Sequence, residues 1–286
     1  MNSIILTFDL EYWFESNSIK KYLRGDETDS LSEFINQLLK LLKAKGASAT
    51  FFISGKVLSQ EPQMIKKIHS FGQEIAVHSL DHQPLWLKQP DGFEQDLKTV
   101  IDQIEKIIGE KPIGHRAANF SLDQNTKWLL PILSNNNIKY DSSIFPFKFP
   151  RFLAKIYKKS LYGLKSEIFN HYKINFNDPI AKDDQSPLIE LPISIFHHNN
   201  FSLPLTGGIY IRLIPWFIFK NLLKIKLNQE PACIHFHPFD FQKPKTIKMP
   251  WLEKIIKYHN TGNTWKKLEY LLDNFECIAA ENYLKL

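Results

Sequence analysis

Read for the spacing of its apolar and polar residues, the chain alternates short β-branched and aromatic runs with longer stretches of helical period, the rhythm of β–α units around a largely parallel sheet. Ile4 to about Glu11 reads as the first strand. Leu31, Phe34, Ile35, Leu38, Leu39 and Leu42 then recur at helical spacing, opened by an S-x-x-E capping box at Ser30 and Glu33 and closed by Gly46. The alternation continues with strands over 47–54, 74–77, 113–117 and 138–144, and helices over 64–71, 93–108 and 126–133. It breaks at Phe145, where Pro146, Pro150, many aromatics and the basic cluster Arg151, Lys155, Lys158, Lys159 and Lys165 mark 145–187 as an insertion or flap. Beyond it the pattern predicts a strand over 188–196, an apolar helix with lysines on one side over 211–227 and a buried strand over 232–237. Two helices near 251–259 and 264–274 and a last strand near 276–280 complete it. Roughly seven or eight parallel strands with no Pro/Gly/Ser-rich linker predict an α/β chain folded as one barrel-like domain over 1–286.

Composition narrows the class. Of 286 residues, 43% are hydrophobic and 23% charged with no low-complexity tract, which excludes a mainly disordered or collagen-like chain. The net charge of +6 is modest, and no aromatic platform interleaved with arginine accompanies it, so nucleic acid is not an expected partner. Cys233 and Cys277 stand outside any C-x-x-C pattern and read as buried apolar residues rather than a disulfide or a thiolate zinc site. The opening residues lack a basic n-region and cleavage site, and no apolar run reaches about 18 residues. The expected location is therefore cytoplasmic, peripheral at the inner membrane face if anywhere on a membrane. Ile214 to Lys226, with Lys220, Lys224 and Lys226, is apolar and basic together; it suits a membrane surface, or equally a helix packed on the barrel with a solvated lysine edge.

Candidate chemistry gathers where strands end. Asp9 and Glu11 lie at i and i+2 of one strand and share a face, where two carboxylates repel unless something positive sits between them; a metal satisfies that, and so does solvation at an exposed mouth. His78 and His82 follow the third strand four residues apart, a spacing that projects both rings from one side of a helical turn. With one carboxylate they make a three-ligand site that keeps a position for water; two ordinary loop histidines are the plainer reading. His235 and His237 share one face of a buried strand ended by Pro238, and two such rings are costly without partners. Arg116 and Asp141 close strands of their own, and each also suits a structural ion pair. Taken together, Asp9, His78, Arg116, Asp141 and His237 all fall at C-terminal strand ends, where α/β barrels assemble active sites.

In order along the chain, Thr7-Phe8-Asp9-Leu10-Glu11, His78-Ser79-Leu80-Asp81-His82, His115-Arg116-Ala117, Tyr140-Asp141-Ser142-Ser143 and His235-Phe236-His237-Pro238 resemble the motifs of the polysaccharide deacetylase family. These are the NodB-homology or family 4 carbohydrate esterases, here in the branch that reads F-D-x-E. The likeness covers about 1–145 and returns at 188–240. It implies a distorted (β/α) barrel of about seven strands, NodB-like, and metal-dependent removal of an N-acetyl group from a sugar. Carried over position by position, Glu11, His78 and His82 hold the metal, Asp9 is the base for the attacking water, and His237 is the acid for the departing amine. Arg116 is implied to orient Asp9 and keep it ionised, Asp141 to orient a catalytic histidine or contact the sugar, and the backbone N–H of Asn119 to serve the oxyanion.

Two departures stand out. Ala118 occupies a position where the family often has proline, and Glu11 replaces the commoner aspartate with a side chain one methylene longer. The donor set suits one divalent ion, Zn²⁺ first and Co²⁺, Ni²⁺ or Fe²⁺ as alternatives. Substrate choice is expected from 145–187 and from the rim aromatics Tyr12, Trp13, Trp86, Phe145 and Phe147, with His235 beside them; packing aromatics are the competing reading. The expected partner is an N-acetylated sugar, free, nucleotide-linked or lipid-linked, used in building a surface glycan such as an O-antigen, capsule or exopolysaccharide. Two other readings stay open: a related metal-dependent C–N hydrolase of a non-sugar substrate, and a catalytically silent glycan-binding module. The presence of both a base and an acid counts against the second. Oligomeric state is not legible.

Overall fold

The computed structural model describes residues 3–16, 19–23, 25, 27, 29–147, 170–198, 201–242 and 247–286. Eleven strands are present among them: β1 (Ser3–Leu10), β2 (Thr50–Ser54), β3 (Glu74–Ser79), β4 (Gly114–His115), β5 (Tyr140–Asp141), β6 (Tyr172–Lys173), β7 (Ile189–Glu190), β8 (Ile195–His198), β9 (Phe201–Pro204), β10 (Ala232–Phe236) and β11 (Glu276–Ile278). Nine of them form one sheet in the order β10-β1-β2-β3-β4-β5-β7-β6, with β11 also on β1. All its pairings are parallel except β6–β7, and the sheet curls into a half-barrel backed by helices, the fold class expected. β8 and β9 make a separate antiparallel hairpin.

β1 explains how the interior is laid out. All eight of its residues are buried, as a central parallel strand requires. Ile4, Leu6, Phe8 and Leu10 pack into the outer core with Phe34, Ile35 and Leu38 of the helix Ser32–Lys45. Ile5 instead joins the inner core with Phe52, Ala76, Tyr140 and Cys233. Thr7 and Asp9, in phase with Ile5, therefore face the barrel interior. At its floor, where the strands begin, Glu74 is buried: its Oε1 accepts from Tyr140 Oη at 2.6 Å, and its Oε2 accepts from Thr50 Oγ1 at 2.5 Å and from the Glu281 N–H at 3.1 Å.

Several expectations change in detail. The helix Ser32–Lys45 begins without a side-chain cap, so the Ser30–Glu33 box is not formed; the Ser30 N–H bonds to Asp29 Oδ1 instead. The single strand expected over 188–196 is split into β7 and β8, with Pro192, which lacks an N–H, in between. The helix expected over 211–227 is two helices, Gly208–Leu213 and Trp216–Leu227, broken where Pro215 removes a donor and restricts Ile214 before it. β3 runs on to Ser79 and so takes in His78. The basic cluster at 151–165 lies outside the described residues, while 170–187 contributes β6 to the sheet edge. Cys233 and Cys277 are free and buried. No helix among the described residues is long and apolar enough to cross a membrane.

Candidate active site

β1, β3, β4 and β10 deliver their C-terminal ends to one place. Asp9 sits on β1 beside Phe52 of β2, and Glu11 follows just past the strand, its N–H bonded to the Asp9 carbonyl at 3.2 Å. His78 reaches the site from β3 itself and His82 from the following turn, at φ 52° with its N–H on Ser79 Oγ at 3.0 Å. The expected helical turn is thus replaced by a strand end and a left-handed residue, and the two rings still converge, their centroids 5.1 Å apart. Donor atoms of Glu11, His78 and His82 all lie within 4.8 Å of one another.

The ring nitrogens are sorted by the backbone. His78 Nδ1 meets the Arg116 carbonyl at 2.8 Å and His82 Nδ1 the Glu15 carbonyl at 3.1 Å. A carbonyl only accepts, so each Nδ1 carries a proton and each Nε2 faces Glu11. Glu11 Oε2 lies 3.9 Å from His78 Nε2 and touches His82 Nε2, yet is buried with no hydrogen bond. Burial favours its neutral form, but His82, His237 and His78 outweigh that and hold its pKa down to about 2. Burial dominates at His78 and brings it to about 4, so the ring is neutral. An ionised carboxylate and imidazole nitrogens with their protons turned outward form a fitting cradle for a divalent transition metal.

Alongside lies a buried ion pair. Arg116, fully buried, donates from Nη1 to Asp9 Oδ1 at 2.5 Å and to Thr7 Oγ1 at 3.0 Å. It also donates from Nε to the Ser142 carbonyl at 3.1 Å and from Nη2 to Ser142 Oγ at 2.8 Å, and its guanidinium covers the Phe52 ring at 4.1 Å. Burial would raise the Asp9 pKa; the Arg116 charge overrides it and keeps the carboxyl well below the usual range. Facing Asp9 Oδ2 at 3.8 Å and Glu11 Oε1 at 3.9 Å is Nε2 of the partly exposed His237. Asp240 stands behind that ring, 3.5 Å from Nδ1, accepting the His237 N–H at 2.9 Å and Arg212 Nε at 3.1 Å. Burial lowers the His237 pKa, and the carboxylates of Asp240, Glu11 and Asp9 raise it by more. His235 is held by Thr206, whose Oγ1 meets Nδ1 at 2.7 Å and accepts the His235 N–H at 3.2 Å. Glycine at 207 permits that approach, because a Cβ there would fall 1.7 Å from the His235 carbonyl oxygen.

Other residues expected at the site lie elsewhere. Asp141 is a correction: it is fully buried behind Arg116, accepting from Ser143 Oγ at 2.7 Å and facing His115 Nδ1 at 2.7 Å, so the histidine it orients is outside the cluster. Trp13 is not a rim aromatic either; it is buried in a small core with Ile19 and Phe239. Phe145 is buried against Phe120, Phe147 and Tyr210, and Tyr12 is buried on Phe14. Trp86 is exposed at 41%. Asn119 adopts φ 58° and Phe120 φ 50°, a left-handed pair just past Arg116, with Asn119 Nδ2 buried and without a hydrogen bond. Asp240, Arg212 and Thr206 were not anticipated. The H-P-x-D spacing pointed to Asp240, since a carboxylate three residues past a turn-opening histidine can reach back to its N–H.

Comparison with known proteins covers the stretches that carry this geometry. A family model described as polysaccharide deacetylase matches 1–139, and a second, described as a domain of unknown function (DUF3473), matches 154–285. Residues 1–139 belong to the polysaccharide deacetylase family. That stretch carries Asp9, Glu11, His78, His82 and Arg116, whereas His235 and His237 come from the second. The peptidoglycan-N-acetylmuramic acid deacetylase PdaA of Bacillus subtilis is 29% identical over 111 residues, 39% of this chain and 42% of that protein. A peptidoglycan deacetylase-like protein, FGM2, of Gibberella zeae is 30% identical over 38% of this chain and 32% of its own length, so the chain spans less than half of either relative. The peptidoglycan deacetylase of Helicobacter pylori is 25% identical over 261 residues, 84% of this chain and 83% of that protein. A solved Mycobacterium smegmatis structure assigned to the polysaccharide deacetylases shares the fold with a TM-score of 0.59 at 17% identity, over 99% of this chain and 88% of that one.

Proposed function

We propose that the protein is a metal-dependent N-deacetylase that hydrolyses the N-acetyl group of an amino sugar in a glycan or glycan precursor. The carrying observation is that Asp9, ion-paired to Arg116, and the Glu11–His78–His82 cluster face His237 across contacts of 3.8 and 3.9 Å. Glu11, His78 and His82 would hold the ion, Zn²⁺ by donor type with Co²⁺, Ni²⁺ or Fe²⁺ as alternatives; the buried Glu11 Oε2 lacking a hydrogen bond fits that use. When bound, such an ion supplies Lewis-acid chemistry, polarising an amide carbonyl and acidifying a water molecule.

The chain's own groups account for the protons. Arg116 occupies Asp9 Oδ1 and leaves Oδ2 to accept a proton from the water whose oxygen adds to the acetyl carbon. His237 Nε2 then protonates the amine nitrogen as the C–N bond breaks, giving acetate and a free amino sugar. Asp240, on the Nδ1 side, favours the protonated ring that this needs. Strands from both family matches pair on β1, which supports reading 1–286 as one domain.

The proposed substrate is a sugar on a nucleotide or lipid carrier during assembly of a surface glycan, handled in the cytoplasm at the inner membrane face. Exposed Phe217, Ile218 and Ile225 beside Lys224 support a membrane contact, which liposome flotation with anionic lipid tests. The deciding experiment pairs acetate release from N-acetylated sugars with elemental mass spectrometry of the wild type and His78→Ala. About one transition metal per chain and acetate release, both lost in the variant, is the expected result. A wild type that binds no added Zn²⁺ or Co²⁺ overturns the proposal.

A further inference from the structure

Among the described residues, Lys257 near this site is a buried cation with no ion pair within 4.0 Å. It lies on the helix Trp251–Tyr258 and is only 8% exposed. Its Nζ stands 3.7 Å over the Phe239 ring, and that ring stacks on His237 with centroids 4.6 Å apart and planes at 14°. The Phe239 ring is thus in contact with both His237 and Lys257. Among the described residues no carboxylate lies within 4.0 Å of Nζ. Of the nearby acids, Asp240 is already engaged by Arg212 and the His237 N–H. The helix is anchored at both ends, by Tyr22 Oη on Glu253 and by Arg212 Nη1 on the His259 carbonyl at 2.9 Å, which fixes the backbone from which Lys257 extends.

Taking an ammonium out of water without a counter-ion is costly, and a cation–π contact offsets only part of that. A methionine would fill the same space without the penalty. Burial pulls the Lys257 pKa down to about 8, with Glu11 and Asp240 opposing, so the group is still mostly charged at neutral pH. We infer that Lys257 anchors an anionic group, a phosphate or a carboxylate, carried by the N-acetylated sugar one aromatic ring away from His237. This rests on the proposed deacetylase reading and narrows its substrate to an acidic sugar.

Calorimetric binding tests it apart from turnover. N-acetylglucosamine 1-phosphate supplies the phosphate, N-acetylmuramic acid the carboxylate, and the methyl glycoside of N-acetylglucosamine the neutral reference. The wild type is expected to bind at least one acid tenfold or more tightly than the neutral sugar, the better acid naming the group. In Lys257→Met that preference falls to near one, and in Lys257→Arg it persists. No preference in the wild type overturns the inference, as does a preference unchanged in Lys257→Met. Should that variant fail to fold, Lys257→Gln takes its place against Lys257→Arg, and the wild-type arm stands by itself. Preference without acetate release would leave the anion site in place and sink the deacetylase reading instead.

Discussion

Asp9 and Glu74 are both buried carboxyls pointing into the interior of the same half-barrel, one near its mouth and one at its floor, and their pKa values move in opposite directions. At the mouth Arg116 lies on Asp9 and wins over burial. At the floor Glu74 has only hydroxyls and a backbone N–H, and burial pushes it up to about 7. Burial is common to both, so the presence of a cation within contact decides which carboxyl keeps its proton. The mouth holds an acid ionised far below neutral pH; the floor holds one that keeps its proton up to about pH 7 and ties Thr50, Tyr140 and the C-terminal helix Ala280–Leu284 together.

The comparison can be broken most severely at Asp9. Asp9→Asn should lower kcat by about 10²–10⁴-fold while elemental analysis finds the metal still bound, because the base is removed and no ligand is; full activity would end the assignment. Next is Arg116→Met, which strands a buried carboxylate and should cost about 3–5 kcal/mol in urea unfolding. Adding Asp9→Asn should recover part of that loss, and a double variant no more stable than Arg116→Met would argue against the pair.

The floor is tested by pH. Between about 4.5 and 7 the unfolded Glu74 loses its proton while the folded one keeps it, so the folded state binds more protons and stability falls as pH rises through that window. The loss amounts to about 3 kcal/mol by pH 7. Glu74→Gln should flatten that slope in melting curves from pH 5 to 8, and an unchanged slope would place the titration elsewhere. Smallest is Asp240→Asn: removing the carboxylate behind His237 should lower its pKa, move the alkaline limb of the kcat/KM profile to lower pH and reduce kcat by about tenfold. A profile identical to wild type would leave Asp240 as structural only.

Much of this was legible because periodicity and punctuation are local. β1 to β5 and most helices between them were placed within a few residues, since Gly46, Gly72 and Gly109, each at positive φ, close or follow three of those helices; the short helix Gly55–Gln60 was not foreseen. The misplacements have local causes too: Pro215 broke a helix whose apolar period ran straight through it, and β3 carried on past Val77 because His78 is polar by composition yet buried by site. The site was legible where both partners sat in recognisable motifs, as with Asp9 and Arg116. It was not where a partner was an ordinary charge in an ordinary helix, as with Lys257 on Phe239. Asp141 shows the converse, a motif residue whose partner, His115, lies behind the site.

One edge of β1 is taken by β10 and the other is shared between β2 and β11, with Ile4 facing both Ala232 and Cys277. The strand that carries Asp9 is thus synthesised some two hundred residues ahead of the strands that enclose it, β10 and β11. While the intervening two hundred or so residues emerge, an edge rich in Ile, Leu and Phe stands unpaired, a geometry that folds slowly and invites pairing with other chains. Asp9, Glu11, His78 and His82 are encoded in the first half of the chain, but β10 and β11, which pair with β1, come from the second, so a chain stopped before Ala232 would carry these four side chains with one edge of β1 unpaired.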